Sequence, residues 1–233
     1  PPPFVPDPAT EAVCFDLDST LCLSTQDDET IHEAVFERVG VEPFFEPSDL
    51  YAVDFDALPD PDSEREHYER MYAAAAEVAG ADPRRETLTA AAEATLDVRD
   101  HDAVTFRTGA ETALAYARER YAVGLLTAGT EATQTEKLDA LGIRDAFDAT
   151  VFCGPGTGVE TKPHPEPFEL VVSDLGVAPE RAVYVGDRLD GDVTGAHDAG
   201  MRSVWVPVGD APADPDPEPT HRLDSMAELP DVV

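Results

Sequence analysis

Lysine is almost missing from this sequence. Of its 16 basic residues only Lys137 and Lys162 are lysines, set against 49 acidic residues, and the formal net charge is −33 over 233 residues. A polyanion of this kind repels nucleic acid and anionic membrane surfaces, so neither is expected as a partner. Cysteine is also scarce: Cys14, Cys22 and Cys153 are an odd set without framework spacing, which argues against a disulfide scaffold. Cys14 and Cys153 lie in apolar runs and read as buried thiols. Cys22 has no histidine partner in the pattern and is not read as a nucleophile. No stretch approaches the roughly 18 consecutive apolar residues of a membrane span. The opening PPPFVPDPATEA lacks the basic-then-apolar order of a secretory signal and reads as a Pro-rich lead-in, so a cytoplasmic location is expected. The six histidines, His32, His67, His101, His164, His197 and His221, are scattered without zinc-like spacing and read as surface residues.

What is present is enough apolar residue, 42%, to bury a core. The acids are spread over nearly every expected helix and loop instead of forming one tail. Together with the lack of lysine, this reads as a whole surface adapted to high salt, as in a halophile.

Short, nearly continuous apolar runs occur at Ala12 to Leu17, Tyr121 to Leu126, Ala149 to Cys153, Ala182 to Val185 and Ser203 to Val206. Runs of this type are strands covered on both faces. Amphipathic stretches separate them. Thr108 and Glu111 read as a capping box before Ala110, Ala113, Leu114 and Ala117. Phe168, Val171, Val172 and Leu175 have helical spacing, with Gly176 as the stop. This alternation predicts an α/β fold with a doubly wound parallel sheet. From about Ser24 to Asp102 the pattern is helical throughout. Ile31, Ala34, Val35 and Val39 share a face before Gly40. Ser63 and Glu66 suggest a second capping box, ahead of a stripe of Tyr68, Met71, Tyr72, Ala75 and Ala79. Glu86 to Val98 is a third helix. The expected organisation is an α/β core of residues 1–23 and 103–233 with an all-helical insertion of residues 24–102. Gly209 to Pro219 reads as a loop before a last short helix.

Four places carry chemistry. Asp16 and Asp18 sit two residues apart at the end of the first apolar run, where open α/β sheets bind ligands. Crowded carboxylates there need a cation or a proton between them, although a solvated acidic turn would look the same. Thr127, followed by Ala128, ends the second run, and its hydroxyl with free backbone N–H groups suits a phosphate oxygen. A helix N-cap is the plainer alternative. Lys162 is a lysine in a chain that otherwise chooses arginine, which suggests a task for a compact ammonium. Lys137, between Gln134-x-Glu136 and a helical pattern, reads as ordinary surface. After the fourth run, Gly186-Asp187-Arg188-Leu189-Asp190-Gly191-Asp192 brings more oxygen ligands of the kind hard cations prefer. The loop Gly154 to Gly158 fits no phosphate-loop spacing and reads as a turn before Lys162.

In order and spacing these residues resemble the haloacid dehalogenase-like superfamily: DxDxT as Asp16, Asp18 and Thr20, then Thr127, then Lys162, then Gly186, Asp187 and Asp192. The resemblance covers Ala12 to Leu21 and about Thr105 to Pro207, and the placement of segment 24–102 looks most like the branch with a helical cap after the first strand. It implies a Mg²⁺-dependent phosphatase acting on a small phosphorylated metabolite. Asp16 would be the nucleophile and Asp18 the acid and base. Asp16, Asp187 and the Asp18 backbone carbonyl would hold the metal, and Lys162, Thr127 and Ala128 the phosphate. Asp192 would orient Lys162 or a metal-bound water, and whether Asp190 or Asp192 touches the metal is left open. Arg188 is left to pair with Asp190 or Asp192, or to reach the substrate. A carboxylate at Asp18 is what the family's dehalogenases lack, and no cap lysine is present for phosphonate cleavage. A sugar-phosphate mutase of the same fold, or a non-catalytic binding protein, are the alternatives. The cap arginines Arg38, Arg65, Arg70, Arg84, Arg85 and Arg99 are candidates for selecting the substrate.

Overall fold

The computed structural model describes residues 10–53, 58–59, 61–209 and 211–233. Most of the Pro-rich lead-in therefore lies outside the described residues. The chain divides into two compact units, residues 1–24 with 104–233, and residues 25–103.

The first unit is built on a six-stranded sheet of β1 (Ala12–Phe15), β4 (Ala122–Ala128), β5 (Ala149–Cys153), β6 (Ala182–Gly186), β7 (Arg202–Trp205) and β8 (His221–Arg222). Their order is β5-β4-β1-β6-β7-β8, and all five pairings are parallel. β1 is central, and the chain winds outward from it in both directions. The ends of β1, β4 and β6 therefore meet at the point where the winding reverses, which is where such sheets bind ligands.

Burial on both faces explains the continuous apolar runs. All four residues of β1 are fully buried. Val13 and Phe15 pack on one face with Ala113, Leu114 and Ala117 of α5 (Ala110–Arg118) and with Met226 and Leu229. Ala12 and Cys14 pack on the other with Phe168, Val171 and Val172 of α7 (Glu166–Leu175). This unit also holds α6 (Glu131–Leu141), the short α8 (Thr194–Asp198) and a last short helix, Met226–Asp231. Gly176 closes α7 in the left-handed conformation, as its position suggests.

Three local readings are corrected. The α5 cap is Gly109, not Thr108, and no side chain caps the helix. A Cβ on Gly109 would lie 2.6 Å from the Ala227 backbone nitrogen, so close packing there demands a glycine in place of a capping side chain. Two short strands also escape the apolar pattern: β2 (Cys22–Ser24) and β3 (Val104–Phe106) form an antiparallel ribbon. With three residues each and exposed positions in both, they lack the signal of a buried run. β8, of two residues, escaped for the same reason.

The second unit is helical: α1 (Asp28–Val39), α2 (Pro47–Leu50), α3 (Glu64–Val78) and α4 (Arg85–Val98). Its core gathers Ile31, Val35, Phe36, Phe45, Tyr72, Ala75, Ala91 and Ala94. Ser63 does cap α3 by accepting the Glu66 N–H, but the Glu66 carboxylate accepts from the Asp62 N–H, so only half the expected box forms. His32, read as surface, is buried with its ring nitrogen 2.8 Å from the Phe45 carbonyl oxygen. Arg38, Arg65, Arg70 and Arg99 each bond a side chain within this unit.

Candidate active site

β1 delivers Asp16 directly from its buried end, and the Asp16 N–H still donates to Val185 on β6. The chain then turns sharply. Ser19 has φ +62°, the only positive φ at a non-glycine among the described residues. Such a conformation costs of order 1–3 kcal/mol and persists where surrounding bonds enforce it. Here the Ser19 N–H donates to the Cys22 carbonyl, and Arg107 donates to the Ser19 carbonyl at 2.7 Å. This turn returns Thr20 to the carboxylates, with its hydroxyl 3.3 Å from Asp16 Oδ2 and 3.4 Å from Asp187 Oδ1.

Lys162 comes from the segment between β5 and α7. Its side chain is only 9% exposed, and its ammonium donates to Asp16 Oδ1 at 2.7 Å, to Asp192 Oδ1 at 2.7 Å and to the Tyr184 hydroxyl at 3.1 Å. Three partners match the three protons of an ammonium, a pattern the flat fork of arginine does not supply. The Tyr184 hydroxyl in turn donates a hydrogen bond to the Leu126 carbonyl. The two acids hold Lys162 protonated, well above the ordinary lysine value in spite of its burial.

Asp187 follows β6. Asp192 sits in a single wide turn, Leu189–Val193, and folds back so that Oδ2 accepts the N–H groups of Asp187 and Arg188, both at 3.0 Å. Arg188 pairs with Asp190 at the surface, one of the two partners expected for it. One oxygen each from Asp16, Asp187 and Asp192 lies within 4.8 Å of the others. Burial pushes Asp16 up to about 7 against the opposing pull of Lys162, and pushes Asp187 up to about 6. Lys162 bonds two of these three carboxylates, so the cluster has oxygen donors and unbalanced negative charge, the chemistry of a hard-cation site.

Thr127, fully buried near the end of β4, accepts a hydrogen bond from Gln134. The same amide nitrogen lies 2.8 Å from Asp18 Oδ2. Lys137 overturns its surface reading: its Nζ is 2.8 Å from both oxygens of Asp18, and its side chain is 14% exposed. Gln134 was missed and Lys137 misjudged for one reason. Their helix, α6, is polar, so its pattern suggested solvent on every side. The available signal was position: both lie three residues apart, on one face, near the start of a helix that follows the Thr127 strand. Cys22 is buried with its thiol pushed up to about 12, consistent with an inert thiol.

The sheet, with an acid–lysine cluster at its switch point, places the chain in the α/β class with a polar, cation-compatible site. The chain belongs to the haloacid dehalogenase-like hydrolase family, which it matches over residues 10–200. It is 33% identical over 230 residues to a glyceraldehyde 3-phosphate phosphatase of Methanopyrus kandleri, covering 96% of this chain and 97% of that one. It is 38% identical over 163 residues to a phosphoserine phosphatase of Thermus thermophilus, covering 69% of this chain and 63% of that one. A crystal structure of a predicted phosphoglycolate phosphatase from Haemophilus somnus superposes with a TM-score of 0.75 at 19% identity, over 95% of this chain and 96% of that one, which is a likeness of fold. Family and relatives together support an enzyme of the phosphoric monoester hydrolase class. No helix among the described residues is long and apolar enough to cross a membrane.

Proposed function

We propose that this chain is a Mg²⁺-dependent phosphatase that hydrolyses a small phosphorylated metabolite through an aspartyl-phosphate on Asp16, with segment 24–102 acting as a substrate-selecting cap. The observation that carries the reading is the Asp16 carboxylate, buried at the end of the central strand with Lys162 at 2.7 Å. A carboxylate oxygen of Asp16 attacks phosphorus, and the bond from phosphorus to the ester oxygen breaks. Asp18 gives its proton to the departing oxygen. It then takes a proton from the water that attacks phosphorus, which frees phosphate and restores Asp16. The Thr127 hydroxyl and the Ala128 N–H receive the phosphoryl oxygens, and the Lys162 ammonium beside Asp16 balances their charge.

The oxygen-only donor set and its excess of negative charge fit Mg²⁺. Asp16, Asp187 and the Asp18 backbone carbonyl would hold it, and when bound it would balance charge on the phosphoryl oxygens. Asp192 would orient Lys162 through Oδ1, while its Oδ2 is held by the Asp187 and Arg188 N–H groups.

The test is phosphate release from phosphoserine, glyceraldehyde 3-phosphate and p-nitrophenyl phosphate. Turnover should require Mg²⁺ and disappear in Asp16→Asn. Full activity in Asp16→Asn would remove the nucleophile, and full activity in EDTA would remove the metal.

A further inference from the structure

The chain has two lysines, and both end on an aspartate of the DxD pair: Lys162 on Asp16, Lys137 on Asp18. The contact of Lys137 is centred, at 2.8 Å from each Asp18 oxygen, so it fixes the carboxylate as a whole without favouring one oxygen. Gln134, one turn earlier, is a fully buried amide on a helix whose other buried residue is Leu138. Its amide nitrogen touches Thr127 Oγ and Asp18 Oδ2 together, so a single donor sets the spacing between the end of β4 and the acid. Exposure separates the holder from the held: the Lys137 side chain is 14% exposed and that of Asp18 is 48% exposed. A surface ion pair made for stability alone would leave both partners open and would contribute little. Here the buried stem anchors the cation, and the acid keeps an open side for substrate.

We propose that Gln134 and Lys137 are positioning residues for Asp18. They hold its carboxylate at a fixed place beside Thr127, so that it is aligned on the leaving oxygen in the step in which it carries the proton. The inference rests on Asp18 being the general acid. It assigns α6 a task in the reaction besides packing on the sheet. Alignment of this kind is strongly felt in rate, since a displacement of about 1 Å can cost on the order of 100-fold.

Two probes separate the possibilities: p-nitrophenyl phosphate, whose leaving group departs readily without a proton, and phenyl phosphate, whose leaving group has a pKa of about 10 and needs one. Lys137→Met should lower kcat on phenyl phosphate on the order of 10- to 100-fold. It should lower kcat on p-nitrophenyl phosphate several-fold less, with KM little changed on either. Lys137→Arg, which restores a cation of different shape, should recover part of the loss. Combined with Asp18→Asn, Lys137→Met should add almost nothing, because the group it positions is gone. Melting temperatures of every variant confirm folding, and Lys137→Gln is read in the same way if Lys137→Met does not fold. Equal loss on both probes, a change confined to KM, or full additivity with Asp18→Asn would overturn the positioning role. If Asp18→Asn itself shows no difference between the probes, the acid assignment fails and takes this inference with it. If Asp18→Asn shows the difference and Lys137→Met does not, the inference alone fails.

Discussion

Gly186 has no room for a side chain because the Asp192 carboxylate folds back over it: a Cβ at Gly186 would lie 2.4 Å from Asp192 Cγ and 2.4 Å from its Oδ2. The glycine is required by this close approach, not by an unusual φ. It lets one carboxylate accept two backbone N–H groups and still bond Lys162. Gly186→Ala should therefore displace Asp192, with a stability cost of about 1–3 kcal/mol from overpacking. Asp192→Asn keeps the shape and weakens the hold on Lys162, and should lower activity on the order of 10- to 100-fold. Denaturant melts and phosphate release check both. Wild-type activity in Asp192→Asn would show that Lys162 is positioned without it.

In the metal-free protein, Asp16 and Asp187 are raised by burial to about 7 and about 6 from an ordinary value of 3.8. Between the ordinary and the raised values the folded chain binds more protons than the unfolded chain. Their contribution to stability therefore falls as pH rises through that window. A cation prefers the ionised carboxylates, so its affinity should rise over the same range, and its binding should release protons. The expected result is a rise in melting temperature on adding Mg²⁺ that is larger near about pH 8 than near about pH 5. An equal shift at both values would mean that these acids do not hold the metal.

Asp16, Asp18, Lys162, Asp187 and Asp192 were legible because each stands at a break in an apolar run or against the residue bias of the chain. The sheet was legible for a related reason, since strands buried on both faces print as continuous apolar residues. The partners that arrange the site were not. Tyr184 lies inside a buried run, and nothing in its spacing says that its hydroxyl touches Lys162. Arg107 stands in no apolar pattern, yet it holds the Ser19 turn and donates to the Val206 and Pro207 carbonyls. Gln134 and Lys137 were hidden by the polarity of their own helix. These residues act through hydrogen bonds across long sequence separations, which periodicity does not encode.

The last prediction concerns the medium. A net charge of −33 on a 25.0 kDa chain imposes strong self-repulsion on the folded state. At about 0.1 M salt the Debye length is about 10 Å, comparable with the spacing of surface charges, so the repulsion is only partly screened. At about 1 M it is about 3 Å, and little repulsion remains. Ion pairs among the exposed groups, such as Arg38 with Asp97 and Arg144 with Asp139, weaken under the same screening. Exposed pairs contribute little, however, and the acids far outnumber the bases available to form them. Relief of repulsion should therefore dominate, and the melting temperature should climb steadily with KCl. Mg²⁺ is held constant in the series, so that occupancy of the carboxylate cluster does not mimic the effect. Turnover of an anionic phosphate ester should also improve at first, because the same field opposes its approach. A melting temperature that stays flat from dilute buffer to molar KCl would refute adaptation to high salt while leaving the phosphatase reading intact.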